Sequence, residues 1–260
     1  MSSFHILAVL PWLCTAVSAG DPLPNCERSC GGVEIPYPFG LEPACALPGF
    51  NLTCNTTGVH KPMDEMNWQL NLRDTPYRLS DFGNKFTAIG CETLAYLDVD
   101  GKLTTGCVAT CQADDLASLT DGVCSGIGCC QTAIPKGLQY YGVLFDSSFN
   151  TMEIYNMSRC SYAALVEASS SSFNFSKNYS TSSAFNDHYG GQAPLLVDWA
   201  IGNETCKVVQ EKSNYTCVSK NSECVDSLNG PGYICNCSKG FHGNPYLKPN
   251  DPGSCQGEVS

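Results

Sequence analysis

A short stretch of basic and aromatic residues has the side chains that could bind an acidic ligand. Arg73, Arg78 and Lys85 fall close together in the chain, near Trp68 and Tyr77. Guanidinium and ammonium groups form charge-assisted hydrogen bonds with carboxylates, and aromatic faces can pack against a sugar ring. In a chain with a net charge of −11 this is the strongest local positive patch, so we predict it as a binding site. The alternative is a solvated strand edge guarded by charge.

The residues that could serve an enzyme do not form a recognisable set. His60, His188 and His242 follow the N-terminal segment, and none of them sits in a nucleophile motif. The carboxylates of 114–115 could suggest a glycosidase, but sequence neighbours need not converge, and we interpret them as a solvated loop. Residues 81–83 spell the Asp-Phe-Gly of kinases without the other kinase motifs, which favours a turn. We therefore predict no enzyme, and no kinase domain in this chain.

Composition limits the class of protein before any motif is considered. The 260 residues are 43% hydrophobic and only 15% charged, which is typical of a globular chain long enough for one large or two unequal domains. The sequence pI is about 4.6. So acidic a chain does not bind nucleic acid non-specifically, because phosphate binding requires Lys and Arg.

The cysteines and the N-terminus indicate an oxidising, extracellular compartment. Eighteen cysteines are present. Residues 4–17 are largely apolar and small residues follow at 17–19, so we predict a signal peptide over 1–19 that ends at Ala19. No later stretch is as long and apolar as a transmembrane helix requires. Eight Asn-x-Ser/Thr sequons predict surface glycans; they are Asn51, Asn55, Asn156, Asn174, Asn178, Asn203, Asn214 and Asn236.

The sequence predicts that short strands separated by long loops position the basic, aromatic and cysteine residues described above. Alternation or β-rich composition predicts strands at 33–37, 68–72, 85–91, 94–99, 140–145 and 194–202. No stretch shows a sustained helical period with caps. Residues 169–194 are rich in Ser, Asn and Gly but carry five aromatic residues, so we predict a surface segment packed through those rings.

The cysteine-rich centre is predicted to be a structural junction. Cys129 and Cys130 are adjacent, and their Cα atoms lie about 3.8 Å apart, too close for a disulfide between them. We expect each to pair with a different partner. A zinc or redox site is the alternative; the oxidising compartment and the lack of a nearby histidine favour the structural reading.

Two sets of motifs resemble known extracellular modules. The first set is Cys26-x3-Cys30-Gly followed by residues 37–40, Tyr-Pro-Phe-Gly, then Ile-Gly-Cys at 89–91 and Gly-Cys-Cys at 128–130. With residues 198–203 it is similar to the ectodomain of plant wall-associated receptor kinases. The last six cysteines, with Gly-Tyr before a Cys-x-Cys and Gly-Phe after it, resemble an EGF-like domain.

These resemblances imply a fold class and a division of the chain. The expected fold is mostly β and disulfide-rich, a cysteine-rich β module followed by a small EGF-like domain. The expected ranges are 20–168 for a galacturonan-binding-like domain, 169–202 for a connecting segment and 203–257 for the EGF-like domain. The EGF-like resemblance implies the pairs Cys206–Cys224, Cys217–Cys235 and Cys237–Cys255. The cysteines left to the first domain are Cys26, Cys30, Cys45, Cys54, Cys91, Cys107, Cys111, Cys124, Cys129, Cys130 and Cys160. Because eleven is odd, we predict one unpaired thiol or an intermolecular bridge.

The resemblance also implies a function without catalysis. It predicts an extracellular cell-wall protein that binds pectin or oligogalacturonides, in a family whose members are single-pass plasma-membrane receptors. The alternative is an interaction or adhesive module that binds a peptide or another ectodomain through its EGF-like part. The expectation includes no metal site and no cofactor; calcium enters only as a bridge between protein and pectin carboxylates.

Overall fold

The predicted fold class is confirmed: the protein consists mostly of strands and is stapled by eight disulfides. The computed structural model describes residues 3–5, 23, 25–30, 33–54, 69–111, 119–147, 160–169, 173–189 and 193–257. The strands in this part are β1 (Ser3–His5), β2 (Ser29–Cys30), β3 (Val33–Glu34), β4 (Gln69–Asn71), β5 (Tyr77–Leu79), β6 (Asn84–Ile89), β7 (Thr93–Val99), β8 (Lys102–Ala109), β9 (Cys129–Thr132), β10 (Tyr140–Phe145), β11 (Tyr162–Glu167), β12 (Leu196–Trp199), β13 (Ser222–Asp226), β14 (Tyr233–Cys237), β15 (Phe241–His242) and β16 (Gln256–Gly257).

Helix is confined to short turns in the described ranges. These are a 3-10 turn at Pro43–Cys45 and the α-helices α1 (Asn178–Thr181), α2 (Ala184–Tyr189) and α3 (Cys206–Val209). Helices of four to six residues are too short to show a helical period in the sequence, so the strand-only expectation missed them.

The chain divides into two compact units that do not follow its linear order. The first unit comprises Met1–Ala8, Pro62–Arg73 and Tyr77–Asp198. The second comprises Val9–Lys61, Asp74–Pro76 and Trp199–Ser260. The linear ranges expected above remain a sequence-based proposal.

The first unit is built on two antiparallel sheets that share a core. One sheet has the strand order β4-β10-β7-β8, and the other has the order β11-β6-β9. Their facing side chains form a core that includes Phe86, Leu97, Tyr141 and Leu165, each at most 1% exposed. Fully burying such side chains stabilises a fold by about 1.5–3 kcal/mol each, so this core holds the four-stranded sheet in place.

The other face of the three-stranded sheet is covered by the segment rich in Ser, Asn and aromatic residues. Its rings at 173, 175, 179 and 185 are buried against Ile89, Cys129 and Val166. The prediction that this segment packs through its aromatic residues is confirmed. The three-stranded sheet is therefore buried on both faces, whereas the four-stranded sheet presents one face to solvent.

A third sheet, with the order β1-β12-β5, closes the first unit. Asn84 is fully buried, and its amide donates to the carbonyls of Ser80 and Leu196 at 2.9 and 2.7 Å while its Oδ1 accepts from the Leu196 N–H at 2.8 Å. This single side chain satisfies both backbone polar groups of Leu196, the first residue of β12. Of the predicted signal peptide only Ser3–His5 is described, paired with β12; the rest, including Ala19, lies outside the described residues.

Three disulfides staple the first unit. They are Cys91–Cys111, Cys107–Cys130 and Cys124–Cys129. The prediction that the adjacent cysteines take different partners is confirmed, and the Cys107–Cys130 bridge joins the two sheets through β8 and β9. Cys160 is the free cysteine among those described. Burial raises the pKa of Tyr162, and a hydrogen bond with the Cys160 side chain adds to the rise.

The second unit combines the first stapled segment of the chain with the last. Its disulfides are Cys26–Cys45, Cys30–Cys54, Cys206–Cys224, Cys217–Cys235 and Cys237–Cys255. Phe39 and Phe50 each meet the Trp199 ring edge-on at 5.3 Å between centroids, and Tyr246 lies at 5.9 Å from the same ring. The Asn244 side chain donates to the Tyr37 carbonyl at 2.7 Å. The early and late segments therefore share one aromatic core.

Candidate functional site

The basic residues of the predicted patch lie in different surroundings. Arg73 is exposed, follows β4 and forms an ion pair with Asp100. Arg78 lies on β5 and is only 5% exposed, and this burial lowers its pKa. Lys85 is half-buried on β6 and pairs across the sheet with Val166. It therefore lies on the side of the core that the three-stranded sheet forms with the rings at 173–185, which we call the second core. Of these three residues, only Arg73 is exposed.

Neither aromatic residue of the patch is an exposed ring in the described part of the chain. Tyr77 is half-buried, and burial raises its pKa to about 12. Trp68 lies outside the described residues. The carbohydrate-binding role of these five residues stays a prediction, and the geometry directs attention to the sheet that Arg73 borders.

The solvent-facing side of the four-stranded sheet, which we call the open face, is the candidate binding surface. Its members follow from the register, because side chains at paired positions share a face. They are Gln69 and Asn71 of β4, Tyr140, Gly142 and Leu144 of β10, Leu94, Tyr96 and Asp98 of β7, and Leu103, Gly106 and Val108 of β8. Four strands about 4.8 Å apart give a platform on the order of 14 Å wide.

Glycine and tyrosine make the centre of the open face flat. A Cβ built on Gly106 would lie 2.8 Å from a carbon of the Tyr96 ring, so this ring rests directly on the backbone of β8. A side chain there would displace the ring. The Tyr96 hydroxyl also makes a long contact, at 3.5 Å, with the Asp146 carboxylate. The result is an aromatic surface of the kind on which a planar ligand can stack.

Exposed aliphatic side chains surround that ring. Leu103, Val108 and Leu144 are 53%, 42% and 45% exposed. Single exposed aliphatic residues are ordinary, but several on one sheet face form a patch that marks binding surfaces.

The β4 edge of the open face is polar, and the Arg73 side chain contacts two of the residues there. The Arg73 guanidinium lies 4.5 Å from the Tyr140 ring centroid, while its Nη2 contacts the Asp100 carboxylate. The Tyr140 hydroxyl donates to Gln69 at 2.8 Å. Arg73 is therefore positioned by both a ring and a carboxylate.

Sequence reasoning missed the open face because it searched for charge. The prediction of a strand at 94–99 is confirmed by β7. The sequence signal for the open face was the single glycine inside β8, Gly106. A glycine inside a strand marks a close approach of another group, but only the register shows that the group is Tyr96.

The predicted glycosylation sites divide by exposure. Asn51, Asn174, Asn178, Asn203 and Asn214 are exposed. Asn236 is half-buried in β14, and Asn55 and Asn156 lie outside the described residues. Each sequon remains a prediction. None of the asparagines of the described sequons is a member of the open face.

Two structural searches bear on metals and membranes. Across the described ranges no cluster of three or more His, Cys, Asp or Glu side chains is arranged to hold a metal ion. Within the same ranges none of the helices is both long enough and apolar enough to cross a lipid bilayer.

Comparison with known proteins assigns the sequence to a family of receptors. The family described as "wall-associated receptor kinase galacturonan-binding" matches residues 26–79. Wall-associated receptor kinase 2 of Arabidopsis thaliana is 34% identical over 284 residues, which covers 96% of this chain and 37% of the relative. Wall-associated receptor kinase 1 of the same plant is 34% identical, covering 90% of this chain and 35% of the relative. No solved structure matches the chain significantly.

The fold defines a mostly β, disulfide-stapled class of protein, with three disulfides in its first unit and five in its second. Within that class, the chain is an ectodomain of the wall-associated receptor kinase family. It spans a little more than a third of the length of these relatives, and the region that matches is their ectodomain.

Proposed function

We propose that this chain is an extracellular, non-catalytic ectodomain that binds galacturonan in the plant cell wall. The observation that carries the proposal is the match of residues 26–79 to a galacturonan-binding family. That range includes β4 and Arg73, which form one border of the open face. The predicted signal peptide and the disulfides support a site of action outside the plasma membrane.

The open face suits a polysaccharide better than a compact ligand. Its tyrosine rings at 96 and 140 offer flat surfaces for sugar rings, and the tyrosine hydroxyls with Gln69 and Asn71 offer hydrogen bonds to sugar hydroxyls. A shallow sheet surface has no walls to exclude the rest of a long chain. The proposed binding mode is therefore stacking along the sheet, with Arg73 at one end.

The acidic residues near this face are the groups through which calcium would bridge the protein to pectin. Asp98 lies on it, and Asp100 and Asp146 lie at its borders. A divalent cation between these carboxylates and the carboxylates of pectin would relieve their repulsion. Chelation then tests whether calcium contributes.

Binding of the full chain to immobilised pectin tests the proposal. Leu144→Gln places a polar group in the middle of the open face and should weaken retention several-fold. The matched control is Val123→Gln, because Val123 is also 45% exposed and precedes Cys124, which packs against the second core. Each variant's circular dichroism spectrum should match that of the parent.

Two outcomes count against the proposal in different ways. If the parent chain binds no galacturonan at any degree of esterification, the function is wrong. If it binds but both Gln variants bind equally well, the open face is not the site.

A further inference from the structure

We infer that cleavage of the predicted signal peptide uncovers the edge of β12, and that this edge binds an extended peptide segment of another protein as an added antiparallel strand. The site is separate from the open face and does not depend on galacturonan binding. The inference rests on the strand that lies on this edge, β1, and on the predicted cleavage after Ala19.

The edge of β12 is covered by a segment that the predicted cleavage removes. In the sheet with the order β1-β12-β5, β1 is an outer strand. It pairs antiparallel with β12 over three residues, and Phe4 lies opposite Val197. All of β1 belongs to the predicted signal peptide, so β12 becomes the edge strand of this sheet in the cleaved chain. An edge strand is a template on which another chain can pair.

The backbone groups that cleavage opens are those of Val197. The preceding residue, Leu196, is satisfied from the other side. Its N–H donates to the Asn84 side chain at 2.8 Å, and its carbonyl accepts from the Ser80 N–H at 3.1 Å. Because successive residues of a strand direct their backbone groups to opposite sides, those of Val197 are directed toward β1. Val197 and Phe4 therefore exchange both of their backbone hydrogen bonds, and cleavage removes the Phe4 partner.

The surroundings of this edge favour an apolar peptide segment. The Val197 side chain is 2% exposed, and a partner residue opposite it shares its face. On the other face, a Cβ built on Gly83 would overlap the Leu196 side chain, so the turn at 80–83 packs against the start of β12. That turn carries Phe82, which at 82% is the most exposed large hydrophobic residue of the described ranges. A bound segment gains backbone hydrogen bonds from the edge and apolar contacts beside it.

A second copy of this chain suits the edge less well. Two antiparallel β12 strands centred on Val197 would place the half-buried Asp198 of each copy opposite Leu196 of the other, which removes water from the carboxylate. Residues 1–19 contain no Asp, Glu, Lys or Arg, so the cleaved chain keeps the net charge of −11 and its copies repel one another. A segment of a different protein is therefore the better occupant.

The peptide of residues 1–8 is the probe for this edge, because β1 gives its register on β12. The secreted chain that begins at Gly20 or Asp21 is titrated with the labelled peptide, and fluorescence anisotropy measures binding. N-methylation of Phe4 removes the N–H that bonds to the Val197 carbonyl, so it should weaken binding about tenfold. N-methylation of Ser3 is the matched control. Its N–H points away from β12, so the affinity should change by less than about twofold.

Hydrogen exchange of single amides locates the bound peptide. The Val197 amide should exchange fast in the free secreted chain and several-fold more slowly with saturating peptide, because the added strand accepts its hydrogen bond. The Leu196 amide is the internal control, since its bond to Asn84 is present in both states.

A substitution beside the edge tests the apolar contacts. Phe82→Ser should weaken binding of the peptide several-fold, because it removes the exposed ring of the turn that packs against β12. Leu228→Ser makes a similar change at a residue that is 67% exposed in the second unit, and it should leave the affinity unchanged.

Three results would overturn the inference. A secreted chain that retains Met1 would keep β1 on the edge. Slow exchange of the Val197 amide in the free secreted chain would show that the edge is already closed, by a second copy if sedimentation gives a dimer and by the chain itself if it gives a monomer. Absence of saturable binding, or equal affinities of the two N-methylated peptides, would show that the edge does not add a strand.

Discussion

Removing two disulfides of different loop length tests the account of how the first unit is held together. Cys107–Cys130 closes a separation of 23 residues, and Cys124–Cys129 closes one of 5. In each pair one sulfur belongs to a buried core and the other is partly buried against that core. Replacing each pair with alanines therefore removes similar packing, and the difference between the two variants isolates loop closure.

The expected magnitudes follow from the entropy of the unfolded chain. The loop lengths give about 3.4 kcal/mol for the longer bridge and about 2 kcal/mol for the shorter one. The longer bridge should cost about 1.4 kcal/mol more, which is about tenfold in the unfolding equilibrium.

Amide hydrogen exchange of β6 is the suitable assay. This strand is the middle strand of the three-stranded sheet and pairs with β9, which contains both Cys129 and Cys130. Its slowest amides report the opening of the first unit without any contribution from the second. Equal losses of protection in the two variants, or a larger loss from the shorter bridge, would refute the loop-closure reasoning.

Three further predictions concern processing, the free thiol and alkaline pH. N-terminal sequencing of secreted protein should begin at Gly20 or Asp21; a mature chain that keeps Met1 would contradict the signal peptide. Labelling denatured, unreduced protein should modify one thiol, which Cys160→Ser should abolish; labelling that persists in this variant would contradict the assignment. Burial raises the pKa of Tyr189 from its usual value of 10.0 to about 12, so the stability that this neutral hydroxyl contributes is present below pH 10.0 and is lost as the pH rises through 12. Circular dichroism during alkaline titration should show less of this loss in Tyr189→Phe, and identical curves would contradict it.

The fold class was predictable because it follows from composition and short-range pattern. Tyr140–Phe145 was predicted residue for residue, since a β-rich run bounded by turn residues reads directly as a strand. The separate partners of Cys129 and Cys130 followed from covalent geometry alone. These predictions depend on neighbours in the sequence.

The arrangement of the site was not predictable, because it depends on distant pairings. Arg78 and Leu79 are adjacent in β5, and nothing local indicates that the guanidinium would be as buried as the strand's apolar residues. Arg73 and Lys85 are close in the sequence, but Arg73 lies just beyond β4 of the four-stranded sheet and Lys85 lies in β6 of the three-stranded sheet. The contact of Tyr96 with Gly106 requires the register of β7 and β8, which includes a shift after Leu97. Charge proximity along the chain was a poor guide to charge proximity in space.

The order of segments in the second unit has a mechanical consequence. Its stapled N-terminal segment, which contains Phe39 and Phe50, packs with Trp199 and Tyr246 of its last segment, and most of the first unit lies between these two segments in the chain. Tension applied between residues 26 and 257 is therefore transmitted across that aromatic core. The strands of the open face lie in the intervening part of the chain, so this tension loads them only after the core separates.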